Sequence, residues 1–297
     1  MSIPMETITD SISDSRFQIP DLTDETLADS GFYWREKNAV KVLACRALEE
    51  NGFVNGFSTR VGGVSAFPKD ALNLSGLDID SAENVAENRR RFLDVLENDF
   101  PIATAWQTHG ADVRVVENLT DAADGNGKFD ALVSNLEKLL VGVKTADCVP
   151  VLIGDAKTRS YAAIHAGWRG TVNSIVVRAI ETMREIYGTR PEDLICAIGA
   201  AATCRSYEVG REVIDAFTTK KFSTGGKLFT PTREGHALVD LHLANKERLL
   251  SLGVLPENIF TAPFCTMQRT DLFFSYRVES KIYGKTGRLL SVIGRKP

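Results

Sequence analysis

The sequence predicts an α/β (α+β) fold with mixed β-sheets flanked by helices in a single domain. Three observations lead there. Short apolar runs rich in Val, Ile and Ala recur between residues 111 and 165, each at strand length. Stretches with apolar residues at helical spacing lie before and after them. Strand and helix signals are interspersed along the chain, as in layered sheets and helices, and are not segregated into blocks.

Residues 1–29 read as a polar, acidic N-terminal tail. They have neither the apolar core of a signal peptide nor the Arg-rich amphipathic character of a transit peptide. The domain is expected over residues 30–297. Aromatic and apolar positions from Ser30 to Phe57 suggest strands, followed by a Gly-rich turn at Ser58–Gly63. Ser81 to Leu96 reads as a helix with Ser81 as N-cap and a stripe of Val85, Phe92, Val95 and Leu96. Strands are expected at Ala111–Val116, Asp130–Ser134, Leu139–Lys144, Val149–Ile153, Tyr161–His165 and Leu194–Ile198. A helix is expected over Thr171–Tyr187, with Ile175, Val176, Ala179, Ile180 and Met183 on one side. Further helices are expected at Val209–Phe217 and Asp240–Leu252, the latter stopped by Gly253. Thr218–His236 reads as a surface excursion, and strands near Leu272–Tyr276 and Leu289–Ile293 close the chain.

With 297 residues, 43% hydrophobic content and a net charge of -4, the chain can build a sizeable core. The mild, mixed charge argues against a nucleic-acid surface or a polybasic membrane anchor. No apolar run is long enough to span a bilayer. Five widely spaced cysteines, an odd number, argue against a disulfide framework and for a reducing, cytoplasmic setting.

His109 in AWQTHG, Cys148 in TADCVP and His165 in IHAGWRG each follow an apolar run. Together they form a set of imidazole and thiolate donors suited to zinc with one position left open, the arrangement of a catalytic site. The competing reading makes the histidines ordinary polar residues at strand ends and Cys148 a small buried hydrophobe. Around His165, Gly167 and Gly170 permit close backbone approach, and a helix starting near Thr171 would offer free N–H groups. Arg169 adds a forked donor for phosphate or carboxylate, and Arg60 in the earlier Gly-rich turn could make a second anion contact. A surface hairpin is the competing reading for Arg60, and a plain turn with a surface arginine for Arg169. Trp106 and Trp168 could stack on a flat aromatic substrate or pack in the core. His236 reads as an exposed loop residue, His242 as structural, and Cys45, Cys196 and Cys265 as core residues.

Several motifs in order resemble the laccase-domain (YfiH-type) family. They are Phe57–Ser65 with Leu72-Asn73-Leu74, Glu87-Asn88-Arg89, Gln107–Gly110, Thr145–Pro150, His165–Gly170, Tyr207-Glu208-Val209 and Phe273–Arg277. The resemblance spans roughly Ser30 to the C-terminus. It implies a zinc site at His109, Cys148 and His165, which would also be the catalytic residues; copper(II) would outcompete zinc for such ligands where it is available. It implies purine nucleoside phosphorylase activity, in which adenosine, and also inosine, guanosine or methylthioadenosine, reacts with phosphate to free base and ribose 1-phosphate. Adenosine deaminase activity is a second implied function. Arg60, Arg169 and Gly170 are the expected substrate and phosphate contacts. The expected partners are small molecules only, with no nucleic acid or membrane, and the expected state is a monomer or weak homo-oligomer.

The family's older label, copper-type polyphenol oxidase, fits poorly because a laccase-type copper assembly needs many histidines and the chain has four. A hydrolase-like relationship of the implied fold keeps a rival open: a cysteine hydrolase or amidase, as in peptidoglycan-precursor editing, with Cys148 as nucleophile and His165 as its base. The chain departs from the family pattern after Leu194–Ile198, where Gly199-Ala200 replaces Gly-Pro. That change is expected to loosen the following loop.

Overall fold

Two six-stranded sheets pack face to face, and the alternation of side chains along their strands decides what lies between and outside them. The structure is a computed structural model that describes residues 23–75, 79–120, 127–220, 222 and 225–297. In chain order the strands are β1 (Phe32–Lys37), β2 (Val40–Cys45), β3 (Phe53–Ser58), β4 (Ile102–Ala103), β5 (Val113–Val115), β6 (Ala131–Ser134), β7 (Leu140–Thr145), β8 (Val149–Asp155), β9 (Tyr161–Ala166), β10 (Leu194–Ile198), β11 (Glu208–Gly210), β12 (Phe229–Arg233), β13 (His236–Val239), β14 (Ile259–Thr261) and β15 (Leu289–Arg295). The helices are α1 (Asp24–Asp29), α2 (Arg46–Glu50), α3 (Ala82–Val95), α4 (Trp168–Val172), α5 (Ile175–Tyr187), α6 (Arg211–Thr219), α7 (Leu241–Leu252) and α8 (Tyr276–Tyr283).

The first sheet has the order β1-β2-β3-β15-β7-β4 and the second β14-β10-β8-β9-β6-β5. Both are mixed: β4 runs parallel to β7, β14 to β10 and β5 to β6, while the other pairings are antiparallel. Leu139, Val141 and Val143 of the first sheet meet Leu132, Leu152 and Ala163 of the second in the central core. Residues of opposite parity point outward. Leu140, Leu290 and Val292 pack under Phe92, Val95 and Leu96 of the α3 region. Val151, Ile153 and Ile164 pack under Ile175, Ala179 and Met183 of α5 and Leu249 of α7. The result is four layers, helix–sheet–sheet–helices, each buried face covered by the next.

Most of the expected elements are present. Ser81 caps α3 by accepting from the Asn84 N–H at 3.1 Å. Asp240 caps α7 by accepting from Leu243 N–H, and Gly253 ends that helix in the left-handed conformation. Four expectations need correction. The helix expected over Thr171–Tyr187 is two helices, α4 and α5, because Ser174 takes a left-handed φ of 61° between them. Val209 lies in β11, and the helix expected from it begins at Arg211. Leu272–Tyr276 is not a strand: it is a turn that leads into α8 through the capping hydroxyl of Ser275. The Thr218–His236 excursion contains β12 and the start of β13, which join β11 in a small third sheet. Its side chains alternate poorly because β12 is largely exposed. Within the expected tail, residues 1–22 lie outside the described residues. Residues 24–29 form α1, capped by Thr23, with Leu27 buried in the central core.

Candidate metal centre and its cavity

Cys148 and His165 are brought together by one antiparallel strand pair. Val149 lies opposite Ala166 and Pro150 opposite His165, so the turn before β8 sits beside the C-terminal end of β9. His109 arrives from the loop between β4 and β5 with a left-handed φ of 60°. The donor atoms of His109, Cys148 and His165 all lie within 4.8 Å of one another. Tetrahedral ligation at zinc-like bond lengths separates donors by roughly 3.5 Å, so the set fits one ion. Gly167 makes this possible: a Cβ there would stand 3.1 Å from both Cys148 Sγ and His109 Cδ2.

A buried carboxylate organises the centre. Asp130 precedes β6, and its Oδ1 accepts from His165 Nδ1 at 2.7 Å and from the His109 N–H at 3.0 Å. Its Oδ2 accepts from the N–H groups of Gly110 at 2.7 Å and Thr108 at 3.2 Å. His165 Nε2 is thereby left for the metal side, the usual arrangement of a metal-ligating histidine. Burial pushes the Asp130 carboxyl up, but His165 and the backbone donors outweigh it and hold it below the ordinary carboxylate range. Burial likewise raises the Cys148 thiol, yet His165 and His109 beside it bring it down to about 6. Burial lowers His165, and Cys148 with Asp130 more than compensates, raising it to about 9. Both shifts favour a thiolate on Cys148 and an imidazolium on His165.

Asp147, adjacent to Cys148, has a different task. Its carboxylate accepts from Thr266 Oγ1 at 2.7 Å, Ser275 Oγ at 3.0 Å and the Arg277 N–H at 2.7 Å. Burial raises its pKa against these three donors. With its backbone at a φ of 87°, it ties the Cys148 turn to the segment leading into α8.

The centre opens into a cavity of about 520 Å³, within the range that holds a small-molecule ligand. Trp106, Trp168, Tyr207 and Tyr276 contribute aromatic surface to it, and Lys144, Arg169, Arg277 and Arg288 contribute positive charge. Gln107 anchors one wall: its side-chain amide donates to the Lys144 carbonyl at 2.6 Å and accepts from the Lys144 N–H at 2.8 Å, extending the edge of β7.

Residues 54–296 match the family described as multi-copper polyphenol oxidoreductase laccase. The chain belongs to this laccase-domain family, of YfiH type. It is similar to a purine nucleoside phosphorylase of Staphylococcus aureus strain N315, with 33% identity over 268 residues, covering 86% of this chain and 96% of the relative. It is similar to purine nucleoside phosphorylase YfiH of Shigella flexneri, with 34% identity over 238 residues, covering 80% and 91%. Among solved structures, YlmD from Geobacillus stearothermophilus superposes with a TM-score of 0.81 at 30% identity, covering 89% of this chain and 99% of that one. The hypothetical protein YfiH of Bacillus licheniformis gives a TM-score of 0.81 at 28% identity with the same coverage.

In this laccase-domain chain the three anticipated ligands converge, but the anticipated anion contacts do not all follow. Arg60 does not line the cavity. Its Nη1 is held by Glu279 Oε1 at 2.9 Å and the Thr270 carbonyl at 2.7 Å, with the guanidinium over the Phe274 ring. Gly170 does not line the cavity either; it is a close-packing position, where a Cβ would lie 2.9 Å from the Gly110 carbonyl. Helix α4, which contains it, begins at Trp168 and has only 5 residues, too few for the helix-end anion site expected near Thr171. Arg169 does reach the rim, stacked over Trp168 at 4.2 Å and 3.4 Å from Glu212.

His242 is structural, donating from Nε2 to the Gly199 carbonyl at 3.0 Å, and burial lowers its pKa. His236 begins β13, half-buried, with Nδ1 on the Glu234 carbonyl. Cys45, Cys196 and Cys265 are buried. The loop after β10, where the proline is missing, is tied at two points: Ala202 N–H donates to the Asp147 carbonyl at 2.9 Å and Thr266 N–H to that of Ala201 at 3.0 Å. Sequence reasoning passed over Asp130, Lys144 and Arg288 as site residues. A buried acid at the start of an apolar strand was the one available signal for Asp130.

Proposed function

We propose that the chain is a zinc-dependent purine nucleoside phosphorylase. It splits adenosine, and also inosine, guanosine and methylthioadenosine, with phosphate to free base and ribose 1-phosphate, and deaminates adenosine as a second activity. The observation that carries this reading is the His109–Cys148–His165 donor set at the floor of a cavity with both aromatic and cationic walls. The names of the similar S. aureus and Shigella proteins supply the reaction class. The donor set suits zinc, which when bound supplies Lewis acidity and a position for an oxygen ligand.

The chain's own groups do the rest. Trp106, exposed at 56%, and Trp168 offer faces for a purine. Asp130 holds His165 in one orientation, and Arg169 at the rim meets an incoming anion. Asp147 is occupied by three donors and so positions Cys148. A multicopper oxidase lacks ligands here, because His236 and His242 are engaged elsewhere and two histidines reach the centre. Copper(II) would still bind the same three donors where it is available. The five free cysteines suit a cytoplasmic setting; among the described residues no helix is long and apolar enough to cross a membrane.

One observation favours a second reading. Cys148, His165 and Asp130 stand in the order nucleophile, base and orienting acid, with the thiol brought down to about 6, as a cysteine hydrolase or amidase requires. Metal analysis separates the two. Wild type, His109→Ala and Cys148→Ala are assayed with adenosine and phosphate by chromatography. About one zinc per chain, lost in both variants together with adenine release, supports the metallo-phosphorylase. Metal-free wild type with chelator-insensitive turnover moves Cys148 to the role of nucleophile.

A further inference from the structure

Two cations, Lys144 and Arg288, line the cavity together, and Arg89 acts electrostatically on Lys144. Lys144 lies near the end of β7 and Arg288 immediately before β15, its neighbour in the first sheet, where Leu290 stands opposite Lys144. Arg89 comes from α3 on the outer face of that sheet. Lys144 and Arg288 both line the cavity. Burial, and then the charges of Arg89 and Arg288, hold the Lys144 ammonium below its ordinary range.

None of the three has a salt bridge to a carboxylate among the described residues, although Asp147 and Cys148, which line the same cavity, act electrostatically on Arg288. Arg89 donates to the Leu74 carbonyl at 3.3 and 3.2 Å, and Arg288 donates to the carbonyls of Thr286 and Gly287 at 3.0 Å each. Some arginines elsewhere pair with carboxylates, Arg60 with Glu279, Arg233 with Glu208 and Arg269 with Asp271, whereas Arg159 likewise donates only to carbonyls. Clustered, half-buried like charges oppose one another and lose hydration, so the arrangement is stabilised by an anion supplied from outside.

We propose that Lys144 and Arg288, which line the cavity together, form an oxyanion subsite that takes a phosphate group. The group is inorganic phosphate or the phosphate ester of a nucleotide. The subsite deepens the phosphorolysis reading, and rests on it, by naming where the phosphate is held. It also assigns that task to residues other than Arg60.

The test is calorimetric titration of the full-length, metal-loaded protein with inorganic phosphate and, separately, with adenosine 5′-monophosphate. Wild type is compared with Lys144→Met, Arg288→Met and Lys144→Arg, with thermal melts and metal content confirming that each is folded and loaded. Loss of one charged contact should weaken binding roughly 10- to 100-fold in each Met variant, and Lys144→Arg should recover most of it. Binding of inorganic phosphate assigns the subsite to a free co-substrate; binding of the nucleotide alone assigns it to a phosphate ester. Failure of wild type to bind either, or affinities unchanged within twofold in both Met variants, overturns the proposal. Turnover separates this from the reading it rests on. Phosphate-dependent adenine release with an unchanged phosphate KM in both Met variants sinks the subsite alone. Charge-dependent phosphate binding with no nucleoside cleavage sinks the phosphorylase alone.

Discussion

The carboxylate of Asp130 accepts the Nδ1–H of His165 at 2.7 Å and, through the same oxygen, the backbone N–H of His109 at 3.0 Å. One buried acid therefore aligns two of the three candidate metal donors, one through its ring and the other through its main chain. Asp130→Ala should lower metal affinity by about 10- to 100-fold, the usual effect of removing such a partner. Chelator competition measures it, and an affinity equal to wild type would show that the histidines orient themselves.

Gly167 is expected to tolerate no side chain. Its Cβ would press on Cys148 Sγ and His109 Cδ2 at 3.1 Å, tighter than ordinary van der Waals contact. Gly167→Ala should fold but hold its metal less tightly and lose turnover. A melting curve beside a metal titration checks this, and unaltered metal affinity counts against it.

Arg60→Ala should behave as a stability mutant. Arg60 and Glu279 form an ion pair exposed by only 15% and 6%, and breaking a buried pair costs about 3 kcal/mol or more. Urea unfolding should show that loss, while the phosphate KM of the folded fraction stays at the wild-type value. A large rise in phosphate KM without loss of stability would return Arg60 to the site.

After chelation, the Cys148 thiol should react with iodoacetamide with a midpoint near pH 6, set by His165 and His109. The thiolate predominates above that pH and is lost below it. Added metal should protect it. Stability should change little over the same range. The lowered Cys148 pKa adds stability as pH rises from about 6 to its ordinary value of 9.0, and the raised His165 pKa removes stability as pH rises from 6.5 to about 9. The two opposing changes nearly cancel, because the proton has moved from sulfur to imidazole. A reactivity midpoint near 9 would mean that the histidines do not control the thiol.

The sequence by itself determined the class of fold, the strands β8, β9 and β10 and the caps of α3 and α7, and it singled out the cluster of candidate donors His109, Cys148 and His165. These are local matters: apolar period, cap chemistry, and residue types that bind soft or borderline metals. Tertiary structure decided the rest. Ser174 breaks the expected helix just before its apolar stripe begins at Ile175, a backbone change that apolar periodicity does not record. Arg60 and Lys144 are both single cations near glycine or strand ends in sequence. Only packing shows that one meets Glu279, while the other shares its surroundings with Arg89 and Arg288. Asp130 reaches His165 across 35 residues because β6 and β9 pair. Electrostatic partners separated that far in the chain leave no periodic trace, so which charges are matched and which await a ligand emerges only once the sheets are assembled.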